Sequence, residues 1–321
     1  MQTQTNYIGI DISKSFFDVF ICERHYRFTN GPEGFDSLYK LLDGGIQVVM
    51  EASGPYYLRL ACFLHSHGVI VSVANPLVIR RFSQMRMSRT KTDKKDARLI
   101  AEYGAMIKPE QWFPPQKHMI TLQQIEATAG GLIKQKTALN NQLESFISSG
   151  MLDKELKQTI QKELSHLDSL IASLTARMQQ IATDHYSDLL TNLKSIPGIG
   201  KKTAMLLILV SGGFDRFDDY RKLSSYIGIC PRIFESGSSV KGKPRICKMG
   251  MAKVRASLYV ASWSAKRCNK ACRELYERLL AKGKAKKLAL IAVANKLLKQ
   301  AFAIAKAQSK YQENYSLNAC F

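Results

Sequence analysis

The sequence is short of several things, and each shortage narrows what the protein does. Its 321 residues hold only nine prolines, and residues 119–183 run with little Gly or Pro to break a helix. Six histidines are present, and no His-based nucleophilic triad is apparent among them. The seven cysteines are scattered and odd in number, which argues against a disulfide framework and fits a reducing cytosol. Cys268 and Cys272 stand four apart with no second pair nearby, so zinc is not expected. The opening residues lack the charged-then-apolar layout of a signal peptide. No segment reads as long and apolar enough to span a membrane, so a cytoplasmic protein with no membrane partner is expected.

Acid is the other shortage, and it is uneven. Against 47 Lys and Arg stand 26 Asp and Glu, a net charge of +21. Residues 1–115 carry 14 basic and 11 acidic groups, residues 116–190 carry 7 and 8, and residues 191–321 carry 26 and 7. The last third thus holds +19 of the total, the electrostatic footprint of a polyanion-binding region. An anionic membrane would favour one amphipathic basic helix over charge spread across loops and helices.

Within this basic chain four acids have a legible context. Asp11 ends the apolar run Tyr7-Ile8-Gly9-Ile10, and Glu51 ends the run Ile46–Met50. Asp93 and Asp96 are three apart, on one face of a helix turn in Lys91-Thr92-Asp93-Lys94-Lys95-Asp96-Ala97-Arg98. Magnesium takes hard oxygen ligands, commonly one or two carboxylates with water and substrate phosphate. Neighbouring strand ends and a helix turn could together supply such a set. Each acid alone has a plainer reading, as a turn former, an N-cap or a solvated helix residue. Actin-like ATPases also open on a strand ending Gly-x-Asp, but they need a second phosphate loop and an adenosine pocket, for which no Gly-rich segment is placed. Arg86, Arg89 and Lys91, just before the acid pair, could grip a nucleic-acid backbone.

The hydrophobic pattern predicts strands at 7–12, 16–22, 26–29, 47–50 and 69–74, with helices at 34–42, 56–67 and from about 77. Hairpin strands followed by strand–helix alternation indicate a mixed α/β sheet over residues 1–115, closed by the linker-like Trp112-Phe113-Pro114-Pro115. Residues 116–190 repeat Leu, Ile and Met at helical spacing on both sides of Ser148-Ser149-Gly150, which predicts a helical hairpin. Ile160, Leu167, Leu174 and Ile181 are seven apart. That spacing suits internal packing and a dimer interface about equally. Residues 191–321 read as mostly helical. They open on Ile196-Pro197-Gly198-Ile199-Gly200-Lys201-Lys202, a glycine hairpin between helices. Gly198 and Gly200 would present backbone N–H groups to phosphate, and Lys201 and Lys202 would add charge. Basic helices are expected near 252–266 and 284–307. Between lies a loop, Ile229–Lys243, containing Glu235-Ser236-Gly237-Ser238-Ser239. From the residues alone a flexible polar loop is the plainer reading, and a nucleophilic serine the sharper one.

Six ordered motifs together carry a resemblance that none carries alone: Tyr7–Asp11, Met50–Gly54, Asn75-Pro76, Lys91–Arg98, Ile196–Gly200 and Glu235–Ser239. They resemble the DEDD recombinases of the insertion-sequence one-ten family, which includes pilin-gene invertases, over nearly the whole chain. The resemblance implies a RuvC-like (ribonuclease H fold) domain at 1–115, a coiled-coil middle at 116–190 and a C-terminal transposase domain with a helix–hairpin–helix at 191–321. It implies magnesium at Asp11, Glu51, Asp93 and Asp96, and Ser236 as a nucleophile that becomes joined to DNA. Arg232, Lys241, Lys243, Arg245 and Lys248 would steady phosphates around that serine. Partners would be donor and target DNA, a non-coding bridge RNA, and further subunits as dimers pairing into a tetramer. Two rival readings remain: a resolvase-type nuclease working through metal-activated water, and a non-catalytic nucleic-acid scaffold whose acids only cap helices.

Overall fold

The computed structural model describes residues 7–42, 45–87, 92–232, 235–236, 240–241 and 245–313, with backbone alone at 235–236 and 240–241. The chain forms two compact units, residues 1–115 and 116–321.

In the first unit, β1 (Tyr7–Ile12), β2 (Phe16–Ile21) and β3 (Arg24–Thr29) form an antiparallel meander. β4 (Gln47–Glu51) and β5 (Ile70–Ala74) add parallel to β1, giving the order β3-β2-β1-β4-β5. β1, β2 and β4 read as near-continuous apolar runs because both faces of the sheet are covered. One face packs Ile8, Ile10, Phe17, Val19 and Met50 against α1 (Pro32–Tyr39) and α2 (Tyr57–Ser66). On the other, Val49 meets Ile79 and Phe82 of α3 (Pro76–Met85) and Ile100 and Tyr103 of α4 (Asp93–Ile107). The Asn75-Pro76 pair starts α3 as a cap. Asn75 Oδ1 accepts from the Leu77 N–H at 2.8 Å, and Pro76 sits where no helical N–H is needed.

α4 lies unusually close to the sheet. A Cβ at Gly9 would stand 2.1 Å from the Ala97 carbonyl oxygen and 2.3 Å from the Ala101 nitrogen. Further along, a Cβ at Gly104 would meet Tyr7 and Val49 side chains at 2.9 Å. Ala97, Ala101 and Gly104 are spaced i, i+4, i+7, so one face of α4 is a strip of small residues fitted to β1. The helix therefore runs antiparallel to β1, with its N-terminal turn toward the end of that strand. Trp112, expected in a linker, is tied to the sheet instead: its backbone N–H donates to the Val71 carbonyl at 2.7 Å, and its ring packs against the α1/α2-side core.

Among the described residues, the second unit is helical apart from two short strand pairs. α5 (Lys117–Ser148) and α6 (Lys154–Lys194) form the expected hairpin. Only part of its apolar stripe is covered. Ile160 and Leu167 are buried, whereas Ile133, Ile147, Leu156 and Leu170 are exposed. α6 continues past residue 190 and delivers Leu190 and Leu193 into the core shared by α7 (Lys201–Ser211), α8 (Tyr220–Ile227), α9 (Ala252–Cys268) and α11 (Lys286–Ala307). Sequence reading passed over α8 and α10 (Lys270–Ala281). The expected loop at 229–243 contains strands: β6 (Pro231–Arg232) pairs with β9 (Arg245–Ile246), and β7 (Glu235–Ser236) with β8 (Val240–Lys241). One expectation needs correcting on length and composition alone, since α11 is long and apolar enough to cross a membrane. Its apolar content has another cause, because Leu290, Val293, Ala294, Leu297, Leu298 and Ala301 are the centre of the helical core.

The Gly9 contact gives a direct test. Gly9→Ala should cost about 3 kcal/mol or more in urea unfolding, because the clash is with backbone that cannot swing aside. A substitution at Gly31, which has open space around it, should cost far less.

Candidate active site

Register and face bring the predicted acids together. Ile10 pairs with Met50 across β1 and β4, so the next residues, Asp11 and Glu51, are neighbours at the strand ends. Asp11 points to the same face as Gly9, and Glu51 to the same face as Val49, which is the α4 side. On α4, Asp93 stands one turn before Ala97 on the small-residue strip, and Asp96 immediately precedes Ala97. They are not the cap of that helix. Thr92 is, accepting from the Lys95 N–H at 3.3 Å, so the reading of these acids as mere N-caps loses its ground for Asp93.

The electrostatics report the same convergence. Asp11 is pushed up to about 6, first by desolvation and then by Asp96, Glu51, Asp93 and Asp18. Every neighbour that shifts it is another carboxylate. Among the described residues no three His, Cys, Asp or Glu side chains are yet drawn tightly enough to enclose a metal ion. The donor chemistry nevertheless fits one: the ligands are hard oxygens, and their mutual repulsion is what a divalent cation would relieve.

Three residues of this site were missed in the sequence: Asp18, His25 and Arg27. Asp18 lies opposite Asp11 in the β1–β2 register and is only 5% exposed. Its Oδ1 lies 2.6 Å from His25 Nε2 and accepts from Arg27 Nε at 3.0 Å. Its Oδ2 accepts from Arg27 Nη2 at 2.9 Å. The same Nη2 donates to Asp93 Oδ2 at 2.6 Å. The signal was available, since Asp18 is a lone charge inside the apolar run Phe16–Ile21, which a buried strand accepts only with a partner.

The expected nucleic-acid contacts divide. Arg86, at the end of α3, is paired with Glu102 at 3.1 Å. Arg89 and Lys91 lie outside the described residues, as does Lys243. For Ser236 and Lys241 only the backbone is described: Glu235 pairs with Lys241, and Ser236 with Val240. Arg232 and Arg245 are partners across β6–β9 and both exposed. Lys248 is exposed too. Gly198, at φ +104°, has no room for a side chain, since a Cβ would stand 2.6 Å from Ala265 Cβ. Gly200 caps α7 in extended conformation. Lys201 donates to Gln179 Oε1 at 2.7 Å, whereas Lys202 lines a groove of about 720 Å³ with Gly198, Gly200, Lys253, Ser257 and Val260.

Two family models match this chain: a DEDD transposase model over residues 8–151, and the transposase IS116/IS110/IS902 family over residues 190–277. Both describe one class, the transposases, which are DNA-rearranging enzymes. A pilin gene-inverting protein of Moraxella lacunata is 33% identical over 93% of this chain and 95% of its own length, and that of Moraxella bovis is 32% identical over the same shares. The transposase for insertion sequence element IS1111A of Coxiella burnetii is 25% identical over 60% of this chain and 58% of its own. The chain belongs to the IS110 family of transposases.

A carboxyl raised from 3.8 to about 6 makes the folded state hold a proton that the unfolded chain has lost. Stability is therefore lost as pH rises from about 4 through 6. In metal-free buffer Asp11→Asn should be more stable than wild type at pH 8, by about 1–2 kcal/mol once solvent screening of this partly buried group is allowed for. That gain should vanish at pH 4. Thermal melts at the two pH values measure it, and an equal effect at both would contradict the crowding of acids.

Proposed function

We propose that this protein is a site-specific DNA recombinase whose N-terminal unit is a RuvC-like magnesium site and whose nucleophile is Ser236. The observation that carries the reading is Asp11, a carboxyl at a strand end ringed by four others, inside a chain of net charge +21. Order β3-β2-β1-β4-β5, with an antiparallel meander and two parallel strands, supports the ribonuclease H-type reading. Asp11, Glu51, Asp93 and Asp96 would hold the metal, which would polarise the scissile phosphate as a Lewis acid and template. Ser236 Oγ attacks phosphorus, the 3′ oxygen leaves, and a 5′-phosphoserine conserves the bond for rejoining. Attack by the freed 3′-hydroxyl of the exchanged strand then releases the serine. Arg232, Arg245 and Lys248, all exposed, would neutralise phosphate charge around it, together with Lys241 and Lys243.

Sequence choice is assigned to base pairing with a bridge RNA. The protein would then need mainly backbone and shape contacts, which suits the scattered charge of residues 191–321. Dimers pairing into a tetramer would cover the exposed apolar residues of the α5–α6 hairpin, and the acids of one subunit would serve the serine of another. Inversion is the alternative outcome to transposition, favoured by the near full-length likeness to pilin gene-inverting proteins.

Incubating protein, RNA, donor and target DNA with magnesium should give a protease-sensitive protein–DNA adduct. Ser236→Ala should abolish the adduct, and full recombination by that variant would sink the serine mechanism. Cleavage that persists without any adduct would favour the resolvase-type nuclease.

The helix–hairpin–helix reading has its own test. Lys202→Ala should weaken binding to unrelated DNA sequences about equally and lower the slope of log Kd against log salt by about one.

A further inference from the structure

Asp18 sits in the acid cluster but is not placed to be a fifth metal ligand. Both its oxygens are already occupied, Oδ1 by His25 and Arg27 and Oδ2 by Arg27. His25 and Arg27 are two apart on β3, so both side chains leave the strand on the side of Asp18. The result is a buried carboxylate gripping a fork of two guanidinium N–H groups. Arg27 itself is half exposed, with a side-chain exposure of 51%, and its remaining reach ends on Asp93 at 2.6 Å. An ordinary exposed ion pair loses much of its attraction to side-chain freedom and solvent. Here that freedom is already gone, because Asp18 fixes the guanidinium in place before Asp93 arrives.

Asp93 is also one of the four carboxylates read as metal ligands. Its partner in the structure is a cation supplied by the protein itself, the Arg27 guanidinium. We propose that Arg27 is a positioning residue that acts as a tethered stand-in cation, holding Asp93 until the metal arrives, so that loading the site exchanges a guanidinium for a divalent ion on that carboxylate. This inference rests on the metal reading of the acid cluster. It gives Asp18 a definite task, which is to anchor the competitor. It also assigns a role at the site to the α4-facing side of the hairpin β2–β3.

The alternative is that the Arg27–Asp93 pair merely pins the first turn of α4. The two ideas predict opposite signs. A pin helps the site form, so its removal should weaken metal binding. A competitor opposes loading, so its removal should tighten it.

The test measures Mn²⁺ affinity of the full chain by electron paramagnetic resonance titration, with no DNA or RNA present. Arg27→Gln should bind Mn²⁺ about three- to tenfold more tightly than wild type. Arg27→Lys, which keeps the charge but loses the fork, should fall between them. Because Arg27→Gln leaves buried Asp18 with His25 alone, the paired change Asp18→Asn with Arg27→Gln is measured beside it and should give the same tightening in a neutral, isosteric setting. Asp11→Asn is the reference. If Mn²⁺ binding is lost in Asp11→Asn but unchanged or weaker in both Arg27 glutamine variants, the stand-in cation is wrong and the metal site stands. If Asp11→Asn binds Mn²⁺ as wild type does, the metal site itself is wrong and this inference falls with it.

Discussion

Everything at the candidate site depends on how closely α4 can approach β1. Backbone-to-backbone contact at Gly9 with Ala97 and Ala101 sets the height of the helix over the sheet. Gly104 sets it again further along the helix, against Tyr7 and Val49. Asp93 lies one turn further along that strip and Asp96 beside its start, so their distance from Asp11 follows from side chains that are absent. A helix held off by ordinary side chains would leave the two halves of the acid set apart. The sheet supplies the other half through register alone, since parallel pairing of Ile10 with Met50 puts Asp11 beside Glu51.

This packing buries Asp11 among like charges at a cost: desolvation first, and then the neighbouring carboxylates, push its carboxyl up to about 6. A scaffold protein gains nothing from such crowding, and helix capping does not require it, since Thr92 caps α4. Crowded carboxylates at strand ends are tolerated where a cation resolves them. Family membership and chemistry therefore point the same way from independent starting points: one from similarity along the chain, the other from register, close packing and Coulomb repulsion.

Much of the first unit was legible in the sequence. Apolar runs of five or six residues, the Asn75-Pro76 cap and the Asp-x-x-Asp spacing each have a local physical cause, and strands and helices fell within a few residues of the expected places. The site was half legible. Asp11, Glu51, Asp93 and Asp96 stand in recognisable local contexts, whereas Asp18, His25 and Arg27 acquire meaning only through cross-strand pairing that no local pattern encodes. In the second unit the hairpin helices were visible by periodicity, but α8 and α10 are short and polar on one side, so their buried residues were too few to stand out. α11 was expected as a basic helix, yet its buried face is the centre of the core, and a helix there meets the same apolar demand as one in a bilayer.

The central claim is that four carboxylates from two strands and one helix make a single divalent-cation site. Anomalous scattering from crystals soaked in Mn²⁺ tests it most directly. The account predicts a manganese peak within ligand distance of Asp11 and Glu51 and of the first turn of α4, lost in Asp11→Asn. Manganese found only elsewhere, or a peak that survives Asp11→Asn undiminished, would contradict it.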